Sequence, residues 1–581
     1  MSSGDHVALG LLAMGECLRT QQPPKFKMAI KCVLSCFKQQ MSTQLLAHCH
    51  LVYGKMLYFH TDQIDEAKEN LLKSYKMMTT LGDVFKEARL QAFCIICEIY
   101  IINGAGPQIA SQLKNEMAAA KSIPSIYNKL IFYLAEIFTL EGNAEDALKI
   151  LEVGIQNNPS ETLIIYYKLT KNLVNMRIKG LICDPEEMAV VSQTIQALPQ
   201  HLPHALNLRL FAMGSQLAFW LSRGQAKTAR QFLKIMQMDC QTNANAPMPE
   251  DFLWGEMDAL TILTCVFTVV HCAETCLLEK AIKYYGVATN HIKGLALKYS
   301  TKPYEAGVIR CLDRMRLVLE EVLAQMHIIS CQPKAAITNM RSMLDISSRH
   351  LQLAEEYYPM VHLLMANYCV YFEENADYAD KHFAIALKKI KDRSLNTMAH
   401  LQAALFYLSH CKQADYYSIA DRVAQRSWEN MAPSVVAMGH ILHIYHTYLF
   451  KKHNEFRSHV VACLEVSKRE DLFRSHSIVF QMFSTCFHGN PQNVLSGIGT
   501  LQWTKKLFDH SLLLWTYMHI AEIMKKGTAP TNVSEEETLK NIRISASALR
   551  DSKVEAANDP AHKALINWLD DDPSCFLQKE S

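Results

Sequence analysis

The sequence predicts an all-α protein in which antiparallel helical hairpins stack into a right-handed superhelical solenoid, and three observations carry that prediction. Residues 127–159 read as two apolar runs at helical spacing, separated by Gly142 and Asn143 and closed by Pro159. A small residue followed at intervals of three and four by larger apolar ones recurs along most of the 581 residues. Strand signals are nearly absent, with no Asn-Gly or Asp-Gly turn set between alternating apolar runs.

In residues 127–159, Ile131, Leu134 and Phe138 line the first helix, and Ala147, Leu151 and Gly154 line the second. Helix axes about 8–10 Å apart need small side chains where they cross, and Ala135 and Ala147 supply one each. Gly142 permits the tight turn, and Pro159 ends the second helix because it has no N–H to donate. The arrangement fits the roughly 34-residue tetratricopeptide (TPR) pattern. One hairpin cannot bury its own apolar face, so copies must stack. Copies follow Gly54 at Ala67, Leu71 and Ser74, and follow Trp220 and Gly224 at Ala229, Leu233 and Met236. Others lie at Ala281, Tyr285 and Ala288, at Ala336, Met340 and Met343, and at Ala379, Phe383 and Ala386. Two degenerate copies lie at Phe456, Val460 and Cys463 and at Gly489, Val494 and Ile498. Hairpins too divergent to read are expected around residues 86–121 and 162–198.

A solenoid grows in one dimension, so the chain is expected to form one elongated body despite its length. The predicted organisation is a TPR-like superhelix over 1–526, a linker over 527–537, C-terminal helices over 538–570 and a disordered tail over 571–581. Ser534 is placed to cap the last long helix, with Glu535, Glu536 and Glu537 at its positive end. Residues 196–204 and 240–251 read as loops, the second a mobile one.

With 59 basic and 57 acidic residues the net charge is +2, which leaves no basic field to hold a polyanion, so direct DNA binding is not expected. Lys388, Lys389, Lys391 and Arg393 are interrupted by Asp392 and read as a solvated face. The N-terminus has no basic run before an apolar one and is not a secretory signal. The apolar run 260–270 is shorter than a membrane span, so no membrane association is expected. Eighteen cysteines without framework spacing read as reduced thiols.

No constellation of catalytic, metal-binding or cofactor-binding residues is found. Cys94 and Cys97 form the C-x-x-C pair, but the residues between them are isoleucines and no second ligand pair follows. His440, His443 and His446 recur every three residues, which walks around a helix instead of holding one face. Glu355 and Glu356, like Glu373 and Glu374, read as solvated carboxylates. What remains is the concave groove lined by the first helix of each hairpin. Its expected residues are Tyr58 with Leu51 and Lys55, Phe132 with Glu136 and Thr139, and Val266 with Val270. Further along come Tyr368 and Tyr371 with Leu364, then Tyr445 and Tyr448 with Ile441. Apolar and aromatic residues predominate, which suits a long extended polypeptide better than a carboxylate clamp.

The N-terminal run Leu18-Arg19-Thr20-Gln21-Gln22-Pro23-Pro24-Lys25, with Cys32 and Phe37, resembles the start of the MAU-type chromatid cohesion factors, the TPR subunits of the cohesin loading complex. The resemblance continues through 53–75, 251–254, 277–285, 378–387 and Leu514-Trp515. It implies a nuclear, chromatin-associated, non-enzymatic protein, with a cytoplasmic pool compatible. The implied partner is the large HEAT-repeat, Nipped-B-like loader subunit, bound as a heterodimer through its extended N-terminus. Cohesin would be engaged indirectly and chromatin through the partner. The competing reading, from architecture alone, is a general TPR adaptor in transport, proteasome or signalling assemblies.

Overall fold

The computed structural model describes residues 3–61, 63–179, 193, 205–243, 257–301, 308–349, 351–424, 431–486, 509–525 and 534–569. Among these residues 25 α-helices form and no strand does. They pair in chain order as antiparallel hairpins: α1 (Ser3–Thr20) with α2 (Phe26–Cys36), α3 (Thr43–His60) with α4 (Ile64–Leu81), α5 (Lys86–Ile102) with α6 (Gly106–Ala120), and α7 (Pro124–Leu140) with α8 (Ala144–Gln156). After α9 (Glu161–Lys179), α10 (Ala205–Ser222) pairs with α11 (Ala226–Thr242), α12 (Met257–Glu274) with α13 (Leu278–Thr301), and α14 (Val308–Ile329) with α15 (Pro333–Ser347). Then α16 (Leu351–Phe372) pairs with α17 (Ala376–Lys389), α18 (Arg393–Ser409) with α19 (Gln413–Ala424), and α20 (Pro433–Leu449) with α21 (His453–Arg469). The chain ends with α22 (Phe473–Cys486), α23 (His510–Lys525), α24 (Glu535–Asn558) and α25 (Pro560–Ile566). The fold is a TPR-like helical solenoid.

Seven of the hairpin turns are one piece of backbone chemistry used repeatedly. Gly104, Gly142, Gly224, Cys276, Cys331, Cys411 and Lys451 each take a positive φ between 55° and 77°. The next residue in each case donates its N–H to a carbonyl five residues back, as Asn143 does to Phe138 at 2.9 Å and Leu277 to Cys272 at 2.8 Å. This is the Schellman closure, which satisfies carbonyls that a helix end otherwise leaves open.

The small residues sit at the crossings. Ala135 and Ala147 are 4% and 0% exposed, and a Cβ on Gly54 of α3 would lie 2.7 Å from Leu71 of α4. The copies read at Ala229, Ala281, Ala336, Ala379 and Phe456 all lie in buried core. The regions 86–121 and 162–198, too divergent to read, contain the α5–α6 hairpin and α9, and the α18–α19 hairpin carries no readable copy at all. Residues 489–498, like 196–204, fall outside the described residues. The predicted loop at 240–251 is corrected in part, since α11 runs on to Thr242 with Cys240 buried against α12. Helix α12 is long and apolar enough to cross a membrane by length and composition, but 61% of it is buried inside the protein.

The superhelix closes on itself. Glu470 and Asp471, in the α21–α22 turn, meet the α10–α11 turn about 245 residues earlier in sequence. There Gln225 donates to Glu470 at 2.8 Å, Lys227 pairs with Asp471 at 3.0 Å, and Leu472 packs onto Gly224. The C-terminal helices also fold back. Helix α24 begins at Glu535, directly after Ser534, whose side chain caps it by accepting from the N–H of Glu537, as the sequence suggests. It lies along the edge of the α14–α15 and α16–α17 hairpins, where Glu555 pairs with Lys334. Behind it, Trp568 stacks on His362 with ring centroids 4.2 Å apart.

Gly224 is thus constrained twice, by its φ of 73° and by Glu470, whose carbonyl oxygen would lie 2.9 Å from an added Cβ. Gly104, at a φ of 65°, has nothing within 4 Å of that point. Gly104→Ala is expected to cost about 1 kcal/mol, the left-handed backbone strain alone. Gly224→Ala should cost about 1–3 kcal/mol more through overpacking, and chemical denaturation of the two variants measures the difference.

Candidate functional site

The inner wall of the superhelix is defined by the contacts that cross it. Arg310, on the first turn of α14, places Nε 3.3 Å from Glu98 Oε1 of α5 and Nη2 2.9 Å from Glu136 Oε2 of α7. These partners lie 212 and 174 residues away in sequence (310 less 98, and 310 less 136), so the faces of α5 and α7 that carry them point inward. Glu98 is wholly buried, and burial pushes its carboxyl up even though Arg310 pulls the other way. Burial opposes the charge of Arg310 as well, but the carboxylates of Glu98 and Glu136 more than offset that and raise its pKa. Its Nη1 donates to no described acceptor. Tyr58, half-buried on α3, feels the same pair: burial and the Glu98 charge raise its pKa, and Arg310 lowers it.

A second crossing joins α16 to α22. Arg474 donates from Nη2 to the Tyr371 hydroxyl and from Nε to Asp509, each at 3.0 Å. Asp509 in turn accepts from the N–H of Leu512, fixing the start of α23. From the first crossing an aromatic course runs from α7 to α10. Phe132, one turn before Glu136 and so on the same face of α7, stacks on Tyr167 at 4.7 Å and meets the edge of Tyr166 at 5.1 Å. Tyr166 of α9 lies 5.5 Å from Phe211 of α10. On α12, Phe267 packs against α10, 3.4 Å from the point where Gly214 would carry a Cβ. Separately, a cavity of about 790 Å³ opens between the α5–α6 and α7–α8 turns and α16, with Ile101, Ile137, Glu321, Tyr357 and Met360 in its lining.

The predicted groove residues are therefore divided. Tyr58, Phe132, Val270 and Tyr371 are half-buried, and the first, second and fourth stand beside the contacts just described. Tyr445 is half-buried between two core clusters, and Tyr448, in the last turn of α20, is 46% exposed. Two are corrected. Val266, at 6% exposed, belongs to the core of α12 with Ile262 and Val269. Tyr368 is wholly buried, with its hydroxyl 3.0 Å from His562 Nδ1 of α25, so the C-terminal helix covers the side on which it was expected to be free. Glu98, Arg310 and Arg474 were not anticipated, because nothing local marks a charge whose partner is supplied from a distant hairpin.

The other chemistry-bearing residues are part of the packing. Cys94 and Cys97 lie within the α5 core, where burial pushes the Cys94 thiol up to about 12 and that of Cys97 well above its usual value. His440 and His443 both pack on His459 of α21, the first with Nδ1 atoms 3.2 Å apart and the second with rings stacked at 4.8 Å. No group of three His, Cys, Asp or Glu side chains placed to hold a metal ion occurs among the described residues.

Fold and wall together define a TPR-like helical-repeat protein whose superhelix is closed by its own charged side chains. The sequence profile of the family described as cohesin loading factor matches residues 26–417, and the chain belongs to that family. It is 27% identical to maternal uncoordinated protein 2 of Caenorhabditis elegans, over 99% of each chain. It is 23% identical to the MAU2 chromatid cohesion factor homolog of Drosophila virilis, over 98% of this chain and 93% of that one. Among solved structures it is similar in fold to Scc4, seen in a crystal structure with Scc2n and Ctf19n, with a TM-score of 0.50, 10% identity and coverage of 96% and 100%. The resemblance read from the sequence thus stands as family membership, and a chromatin-related role follows from it.

Removing Arg310 leaves Glu98 buried without a counter-charge. Arg310→Met is expected to cost about 3–5 kcal/mol, whereas Arg310→Met combined with Glu98→Leu should return most of that loss, since an apolar pair of similar volume replaces a desolvated ionic one. Urea denaturation of the single and double variants is the check.

Proposed function

We propose that this chain is the non-enzymatic subunit of a cohesin loading complex. It acts in the nucleus and holds the extended N-terminal segment of the large Nipped-B-like loader subunit along its inner wall. Cohesin is reached through that partner, and so is chromatin. The observation that carries the reading is the half-buried aromatic run from Phe132, on the face of α7 that carries Glu136, through Tyr166 of α9 to Phe211 of α10. Rigid aromatic side chains on a concave wall are the residue type that most often anchors a bound chain. Family membership supports the same reading, as does the similarity in fold to Scc4, a protein solved together with a segment of its own partner. Within this proposal Tyr58, Phe132, Val270, Tyr371, Tyr445 and Tyr448 are contact candidates, and Val266 and Tyr368 are not.

The test is a pull-down with the purified N-terminal fragment of the loader subunit, followed by mass spectrometry of what the full-length chain retains from cells. Stoichiometric capture of the fragment and recovery of cohesin are expected. Recovery of transport, proteasome or signalling clients without the loader would favour the general adaptor. With a net charge of +2, the chain alone should show no salt-dependent retention of duplex DNA tighter than the micromolar range, measured by fluorescence anisotropy.

A further inference from the structure

The first hairpin leaves an apolar seam uncovered. Gly15 marks the side of α1 turned toward α2, since a Cβ there would lie 3.4 Å from both the Ala29 carbonyl oxygen and the Val33 side chain. Beside it Val7, Leu11, Met14 and Leu18 follow at intervals of four, three and four, which makes one stripe about 16 Å long. Leu11 and Leu18 are partly buried at its base, whereas Val7 and Met14 are 46% and 56% exposed. On α2, Met28 is 53% exposed. It stands one turn before Cys32, whose Cβ lies 3.7 Å from the same point at Gly15, and so borders the stripe. No charge enters the seam. The charged residues of α1 are Asp5, Glu16 and Arg19. Asp5 is buried and accepts from the N–H of Ser42, and Arg19 is buried and bonded to Glu16.

Charge lies along one flank instead, and it is of one sign. Between Glu16 and Asp62 the sequence contains no acidic residue. Lys27, Lys31 and Leu34 share the outer face of α2, and Lys38 continues it past the helix end. The three lysines are exposed, and none is paired with a carboxylate among the described residues. On the opposite flank α1 presents Gly10, Ala13 and Cys17, which are small and uncharged, and a Cβ on Gly10 would meet nothing within 4 Å. Small residues let a third helix approach closely. A surface that lies on anionic lipid would carry basic residues on both sides of its apolar strip.

We propose that the seam between α1 and α2 is a docking site for an amphipathic helix of a partner protein. The apolar face of that helix covers Val7, Met14 and Met28, and aspartates or glutamates on its flank meet Lys27, Lys31 and Lys38. Burial of the seam supplies the attraction, and the one-sided charge sets the orientation, with the acidic flank toward α2. The proposal rests on this hairpin alone and not on the function proposed above.

The test uses the purified full-length chain and two designed helical peptides of about 18 residues, or five turns. Both carry leucine at intervals of three and four, and the flank of that face carries glutamate in one peptide and lysine in the other. Fluorescence anisotropy should show the glutamate peptide bound at least tenfold more tightly than the lysine peptide. Met14→Ser with Met28→Ser should weaken that binding at least tenfold at unchanged melting temperature, because both side chains are exposed. Lys27→Glu with Lys31→Glu should reverse the preference between the peptides, an outcome only a folded chain can give. Equal binding of the two peptides, binding of neither, or a preference that Lys27→Glu with Lys31→Glu leaves unchanged would overturn the proposal. Retention of the unmodified chain on phosphatidylglycerol vesicles, or its self-association by light scattering, would also overturn it if Met14→Ser with Met28→Ser abolishes the effect, since the seam would then serve a membrane or a second copy.

Discussion

Arg310 stands where α14 reaches the inner faces of α5 and α7, and its charge keeps Glu98 from being an isolated carboxylate in a place water does not reach. Taking such groups out of water costs several kcal/mol each, and that cost is recovered only while both partners stay together. A solenoid whose repeats touch only their neighbours has no such obligation, because its stability is the sum of adjacent interfaces. Here hairpins more than 170 residues apart must remain in register for Glu98 and Glu136 to keep Arg310 as their counter-charge. Contacts of the same kind join Glu470 to Gln225, 245 residues apart, and Arg474 to Tyr371, 103 apart. These crossings turn a stack of hairpins into a closed body, and they give the inner wall a fixed shape before any partner arrives.

The hairpins themselves rest on a simpler constraint. A tight reversal between two helices asks for one residue in the left-handed region, and glycine meets it at the least cost. Glycine at 142 and 224 made those hairpins legible in the sequence, whereas Gly104 did not, because the helices on either side of it depart from the repeat pattern. Where Cys276, Cys331, Cys411 or Lys451 takes the same backbone shape, about 1–2 kcal/mol of strain is carried by the packing on either side, and the turn leaves no mark. Those hairpins were read only through their small and apolar second-helix residues, such as Ala281 and Ala336. With neither signal, the α18–α19 hairpin was missed.

Groove residues were legible to the extent that helical position decides what faces inward. Phe132 and Tyr371 follow from position within their own hairpins. Tyr368 does not, because what covers it is α25, nearly 200 residues further along, and a helix that folds back from the C-terminus cannot be seen from the hairpin it lands on. The run at 18–25 shows the reverse case, a recognisable motif whose role here is local. Arg19 is buried and bonded to Glu16 at 2.8 Å, the N–H of Lys25 returns to the carbonyl of Leu18, and Phe26 stacks on His60 of α3. The residues that carry the N-terminal resemblance build the first turn, and the wall that carries the proposed function has no short motif.

Closure also changes what binding to such a wall would entail. An open concave surface can be reached from the side, so its affinity is set by contact area less the cost of ordering the bound segment. A wall bridged by Arg310 and Arg474 admits a chain from the side only if a bridge opens, and opening the first exposes the cost of an unpaired, buried Glu98. Entry end-on, or during folding of both chains together, avoids that cost. Departure meets the same obstacle, so under the proposed function the bridges lengthen the lifetime of the complex without touching the partner. Burying charge inside the solenoid, a doubtful investment for stability alone, would then have a use under the proposed function: slowing the exchange of the bound segment.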